Sequence, residues 1–281
     1  MDLYIESRSS VLSPATIREY KRSRRRDLQE LMNLSIYDIT QEIIQIAINK
    51  EACSHSPKTV RNMHGLLSAV PNVYRPEFHL NTSLPQKVKP KFYIPTDDDV
   101  KILLQHVNDE EMMIAILLAA FGPMRRSGIC ALESTDIKDK IIHVENALVM
   151  DENKKWVTKK TKSFAGDRFI PLPDFILEKI KGKKGRIIQI NPSQVSDRFI
   201  DIQRASGLPH FRFHDLRHYC ASIQHAMGIP DAYIMQRGGW GSDAVLKQVY
   251  RHALSDQEIK MNNIANTHFS GIMQHDMQHK K

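Results

Sequence analysis

His214 and Arg217 stand three residues apart in the run FHDLRHYC (213–220), so a helix there presents both on one face. Trp240 follows a Gly-Gly pair that reads as a turn, and Tyr250 lies in the short polar run QVYRH (248–252). Arginine is the side chain that grips phosphate oxygens in a fork. A nucleophilic hydroxyl beside such a fork completes a phosphoryl-transfer centre. An HxxR pair alone arises often by chance. It reads first as a helix with a surface His and Arg, and a Tyr that only packs, so the remainder of the chain has to decide.

The elements that would position these residues follow from pattern. Ser13-Pro14 opens a helix, with Ser as N-cap and Pro at N1. This helix carries the basic cluster Arg18, Lys21, Arg22, Arg24, Arg25 and Arg26. A charge run is usually a solvated face, but cations far outnumber acids here, which suits tracking along a phosphate backbone. Apolar spacing predicts a second helix over 36–48. Ser56-Pro57 opens a third, with Lys58 and Arg61 in its first two turns, so residues 1–83 read as a helical bundle. Residues 84–95, LPQKVKPKFYIP, hold three prolines and read as an extended linker along which Lys87, Lys89 and Lys91 could meet phosphates.

A second domain, 96–281, opens on Thr96 with an acidic first turn. An almost wholly apolar helix runs from Glu110 to Phe121 and breaks at Gly122-Pro123. Arg125 then opens another helix; a cation there opposes the dipole, a conflict that a bound anion resolves. Three strands are expected in 141–150, 154–161 and 167–173, forming one small antiparallel sheet with Lys159, Lys160 and Lys162 near its second turn. Helices follow over 174–180 and 193–206. The fold class is mainly α with a small antiparallel β-sheet.

Composition narrows the partners. The 281 residues carry a formal net charge of +8, which suits a polyanion, and 41 % hydrophobic residues, enough for real cores. Cys53, Cys130 and Cys220 are scattered and odd in number, so no disulfide framework is expected and a reducing, cytoplasmic setting is. No Cys/His ligand spacing or HExxH is present, so no metal is expected. The N-terminus lacks the form of a signal peptide, and no apolar run is long enough to span a membrane.

In their order along the chain, Arg125 within GPMRRSGICALESTDI, a lysine near a β-turn, His214-Asp215-Leu216-Arg217-His218, Gly238-Gly239-Trp240 and Tyr250 resemble the tyrosine recombinases, or phage integrase family. The resemblance covers nearly the whole chain. It implies a core-binding helical bundle ahead of an α+β catalytic domain, the two closing around double-stranded DNA. It implies a site-specific recombinase that cleaves and rejoins strands through a 3′-phosphotyrosyl intermediate without ATP or other cofactor. Tyr250 is then the nucleophile, Arg125 and Arg217 neutralise the phosphate, His214 takes a proton or holds the phosphate, and Trp240 packs the site. A lysine protonates the departing 5′ oxygen; Lys160, in a Lys-Thr pair, is preferred over Lys162. The partners implied are recombination sites, a homotetramer at synapsis formed from free monomers, and accessory DNA-bending or directionality factors. The tail 255–281 is expected to dock on a neighbouring protomer, and no arm-binding domain is expected ahead of the bundle. The pattern departs from the family in three places. Gly128 stands where many relatives carry a glutamate, Trp240 where histidine is commoner, and two extra residues separate the lysines from Arg168. Gly128 keeps open a DNA-binding protein that has lost catalysis, and the shared chemistry keeps open a type IB topoisomerase.

Overall fold

The computed structural model of the chain describes residues 1–88, 93–161, 164–244, 246–247 and 266–267. The expected roles of Tyr250, Lys162, Lys89 and Lys91, and nearly all of the tail 255–281, lie outside them. The chain divides into two compact units, one of Met1–Lys91 with Val149–Val157, the other of Phe92–Leu148 with Thr158–Lys281.

The first unit contains α1 (Asp2–Glu6), α2 (Pro14–Arg26), α3 (Gln41–Ser54), α4 (Pro57–Ala69) and α5 (Pro71–Tyr74). Ile44, Ala47 and Ile48 of α3 meet Val60, Met63 and Leu67 of α4, with Leu28 and Leu31 closing the core. These spacings lay one apolar stripe on each helix. The helix predicted over 36–48 starts later, at Gln41, where Thr40 Oγ1 accepts from Ile43 N at 3.3 Å. Before it, the carbonyls of Ile36, Tyr37 and Ile39 all accept from Arg75 Nη1, so they are committed to a side chain and cannot build a helical ladder. Gln41 and Gln45 of α3 hold the following strap: their amides bond His79 O, Asn81 N, Ser83 N and Ser83 O at 2.6–3.1 Å.

The second unit is built around α7 (Glu110–Ala120), which Asp109 caps and which is buried nearly all round. Before it comes α6 (Asp97–Gln105), started by a Thr96/Asp99 capping box; after it come α8 (Arg126–Ile129), α9 (Asp174–Ile180), α10 (Pro192–Ser206), α11 (Asp215–Ala226) and α12 (Asp231–Gly238). Helices α6, α8, α9, α10 and α11 all pack on α7.

The single expected sheet is instead two. Strands β1 (Ile137–Lys138), β2 (Ile141–Val144) and β5 (Arg168–Pro171) form an antiparallel sheet in the order β1-β2-β5, while β3 (Asn146–Met150) pairs with β4 (Trp156–Lys160). The continuous run 141–150 breaks at Glu145. There Thr161 N donates to Glu145 O at 2.8 Å and closes the neck of the β3–β4 hairpin. Beyond that neck β2 continues its ladder with β5, pairing Ile142 with Ile170 and Val144 with Arg168.

Candidate active site

Three arginines converge beneath the start of α11. Arg125 is the N-cap of the four-residue α8, and its Nη2 donates to Gly239 O at 2.8 Å. Arg168 begins β5 and shares its inward register with Ile170, the strand's alternation carrying a cation into the interior. Its guanidinium donates to Arg237 O at 2.8 Å, Gly166 O at 3.0 Å and Pro123 O at 3.4 Å. Arg217 is 1 % exposed and donates from Nη1 to the same Pro123 carbonyl. The Gly122-Pro123 break after α7 thus serves the site, because it turns a carbonyl out of any helical ladder and towards two arginines.

No carboxylate answers these charges among the described residues. Asp215, fully buried beside Arg217, is taken by Arg212, whose Nε and Nη2 fork onto it at 3.0 and 2.7 Å. Burial first, and then the neighbouring cations, depress the arginines: Arg168 falls to about 10 and Arg217 well below its ordinary value. Arg217 Nε and Nη2 are buried with no hydrogen-bond partner. A buried, unanswered guanidinium is costly, and the group that would relieve it is an anion.

Trp240 covers Arg217 with its indole ring, the guanidinium carbon lying 3.9 Å from the ring centroid. The two glycines before it have separate reasons. Gly239 ends α12 at φ +68°, which brings its carbonyl to Arg125, and a Cβ there would lie 2.3 Å from Ala165 O. A Cβ on Gly238 would lie 1.6 Å from the Trp240 ring. Gly238→Ala should therefore displace the indole and cost about 1–3 kcal/mol of stability, read as a lowered Tm. An unchanged Tm would mean that the ring has room to move.

His214 and His218 sit one turn apart, rings edge to face at 4.9 Å. Burial, then His218 and Arg217, push His214 down to about 3. Its outer face is exposed and solvent screens part of that push, so the ring is neutral at pH 7 on either account. A neutral imidazole can accept a proton. His218, half-buried, is held down to about 4, chiefly by burial. Its folded pKa lies below the unfolded 6.5, so the unfolded chain binds more protons between these values. The stability it contributes is full above pH 6.5 and is lost as pH falls through about 4. His218→Gln should flatten the fall in Tm across that window.

Lys160 ends β4, exposed, with its Nζ 3.1 Å from Glu145 Oε2. Gly128 is buried in α8, and a Cβ on it would meet only Asn146 O and Val144 Cγ1, both at 3.7 Å. A cleft of about 550 Å³ opens beside Arg125 and His214, lined also by Arg126, Arg212, Ser196 and Phe213. Among the described residues one trio could ligate a metal, His143, Glu145 and Asp167; there His143 Nε2 already bonds Asp167 Oδ1 at 2.7 Å and Glu145 holds Lys160.

Of the expected site residues, Arg125, Arg217, His214 and Trp240 come together here. Arg168 was missed, although a cation in the inward register of the apolar strand RFIP was a legible signal. In the first unit the basic residues divide. Arg18 and Arg22 pair with Glu19, Lys21 with Glu152 and Arg24 with Asp2, while Arg25, Arg26, Lys58 and Lys87 are exposed. Arg61 donates twice to Pro85 O, at 2.8 and 3.1 Å, and so holds the strap that leads out of the bundle.

Residues 95–257 match the model of the phage integrase family. An integrase of Saccharopolyspora erythraea is 29 % identical over a stretch covering 39 % of this chain and 30 % of that protein, so the match spans under a third of the relative's length. Among solved structures, a lambda integrase dimer bound to a COC′ core site superposes with TM-score 0.68 at 20 % identity, covering 89 % of this chain and 94 % of that one. The Tn1549 transposon integrase in complex with a circular intermediate DNA superposes with TM-score 0.74 at 15 % identity, covering 94 % and 97 %. A lambda integrase tetramer bound to a Holliday junction superposes at 0.67 with 21 % identity, covering 88 % and 75 %. At these identities the likeness is one of fold.

Proposed function

The chain belongs to the phage integrase family, and from that premise we propose that it is a site-specific DNA recombinase that integrates or excises a phage or mobile element. The observation that carries this reading is the buried arginine triad with two Arg217 nitrogens unanswered and, among the described residues, no carboxylate to neutralise it. A scissile phosphodiester supplies the missing anion.

The Tyr250 hydroxyl attacks phosphorus, and its proton passes to neutral His214. The developing charge on the non-bridging oxygens falls to Arg125 and Arg217, with Arg168 holding Pro123 and the α12 end in place around them. The P–O5′ bond breaks and Lys160 protonates the departing oxygen. A 3′-phosphotyrosyl bond remains, and the 5′-hydroxyl of a second strand reverses each step. Trp240 excludes water from Arg217 and keeps that guanidinium flat beneath it.

The first unit serves as the core-binding domain, and assembly to a homotetramer brings two recombination sites together, with the tail 255–281 docking between protomers. A DNA-bound dimer and a tetramer on a Holliday junction among the solved structures of this fold support the oligomeric part of this reading. No described helix is long and apolar enough to cross a membrane. Neutralising Arg24, Arg25 and Arg26 together should lower the slope of log affinity against log salt by about 1.8 rather than about 2.7, because Arg24 is engaged by Asp2. An unchanged slope would place the cluster in solvent.

Incubation with a nicked duplex carrying one core site, followed by denaturing electrophoresis, tests the reading. Covalent protein–DNA adduct is the expected product. Tight binding without adduct would leave a DNA-binding protein in its place.

A further inference from the structure

Glu145 belongs to no strand, yet every polar group it offers to the hairpin is used. Its carbonyl accepts from Thr161 N at 2.8 Å, its Oε2 from Lys160 Nζ at 3.1 Å, and its Oε1 from Asn146 Nδ2 at 3.5 Å. The two contacts to Lys160–Thr161 grip one dipeptide step from both ends of one residue. Glu145 is itself fixed. It follows Val144, whose ladder partner is Arg168, and it follows by two residues His143, which stacks on Phe169 at 4.4 Å and bonds Asp167 at 2.7 Å. The residue that holds Lys160 is therefore one step along the backbone from the strand pair that delivers Arg168 to the arginine triad.

We infer that Glu145 is a positioning residue for the lysine that protonates the leaving group: it ties Lys160 to the sheet that carries Arg168. The inference rests on the recombinase reading above. An exposed ion pair of this kind adds little to stability, since Lys160 is 82 % exposed and Glu145 27 %. Its effect is on geometry. A free lysine side chain spreads over many rotamers, and a proton donor is effective only within hydrogen-bond reach of the departing oxygen. As the P–O5′ bond breaks, Lys160 gives its proton to O5′ and is left as the neutral amine; it regains a proton when the 5′-hydroxyl of the incoming strand is deprotonated on rejoining. Glu145 carries no proton in this cycle.

The test is single-turnover cleavage by the full chain on two nicked substrates, one with the natural bridging 5′ oxygen and one with sulfur there. A thiol leaves without protonation, at a pKa of about 8.5. Glu145→Ala should slow cleavage of the oxygen substrate by about 10- to 100-fold and leave the sulfur substrate within about twofold of wild type. Glu145→Gln, which keeps an oxygen acceptor for Lys160, should fall between. Combined with Lys160→Ala, Glu145→Ala should add no further loss, because both changes remove one function. Equal slowing on both substrates would show a structural role and overturn the inference, as would a normal or faster rate on both, or an additive loss in the double variant. Wild-type protein that makes no adduct on either substrate would overturn the recombinase reading itself, an outcome distinct from these.

Discussion

Tyr250→Phe should bind core-site DNA with unchanged affinity and form no covalent adduct. The expected loss is complete within detection, since the substitution deletes one oxygen and that oxygen is the atom that would bond to phosphorus. Nothing else is withdrawn: the arginine triad, Trp240 and the basic residues of the first unit all remain. The comparison needs two measurements on the same preparation, a gel-shift titration for affinity and denaturing electrophoresis for adduct. Adduct at wild-type yield would move the nucleophile elsewhere. Tyr233 is 65 % exposed and is then the first to test. Tyr219 is a poor substitute, because it is buried, its hydroxyl donates to Asp97 at 2.7 Å, and its pKa is raised by burial and that carboxylate.

Arg217→Met should lower cleavage by about 10³-fold, because removal of one donor to a developing oxyanion costs about 10²–10³ and here a charge goes with it. The same substitution should leave Tm unchanged or raise it. Arg217 is buried with two nitrogens unanswered and two further arginines close by, so in the free protein its charge is a liability that a methionine of similar length would remove. Inorganic phosphate or sulfate, filling the place of the scissile group, should raise the Tm of the wild type and lose most of that effect in Arg217→Met. A variant that both loses activity and melts well below wild type, with the anion effect intact, would show that Arg217 holds the core rather than the phosphate. Arg217→Lys separates charge from fork: it keeps the cation but loses the bidentate geometry and the flat contact with Trp240, and it should recover only a small part of the rate.

The sequence by itself determined the residue types and much of the local structure. Pro at N1 and Ser or Thr at the caps placed the starts of α2, α4 and α6, because those signals act within one turn. Apolar spacing likewise marked α7 as a buried helix. The family was legible too, since Arg125, the HDLRH box, the Gly-Gly-Trp step and Tyr250 keep their order in the chain whatever the fold does between them. What failed was whatever depended on partners far away in sequence. The helix predicted from residue 36 is shortened by Arg75, which takes three carbonyls from 36–39 yet lies some forty residues on. The run 141–150 is one strand by composition and two in the fold, because Thr161 closes the hairpin on Glu145. Arg61, expected to meet phosphate, also holds Pro85 O through Nε and Nη2, a contact that its place in the sequence does not reveal. Only the tertiary structure decided that Arg168 joins Arg125 and Arg217. Its inward register depends on β2 as its ladder partner, and its neighbours come from α8 and α11. A sequence reveals which groups can carry charge; whether a charge is answered depends on what burial leaves beside it, and here, among the described residues, burial has left three arginines with one another and with carbonyl oxygens rather than with a carboxylate.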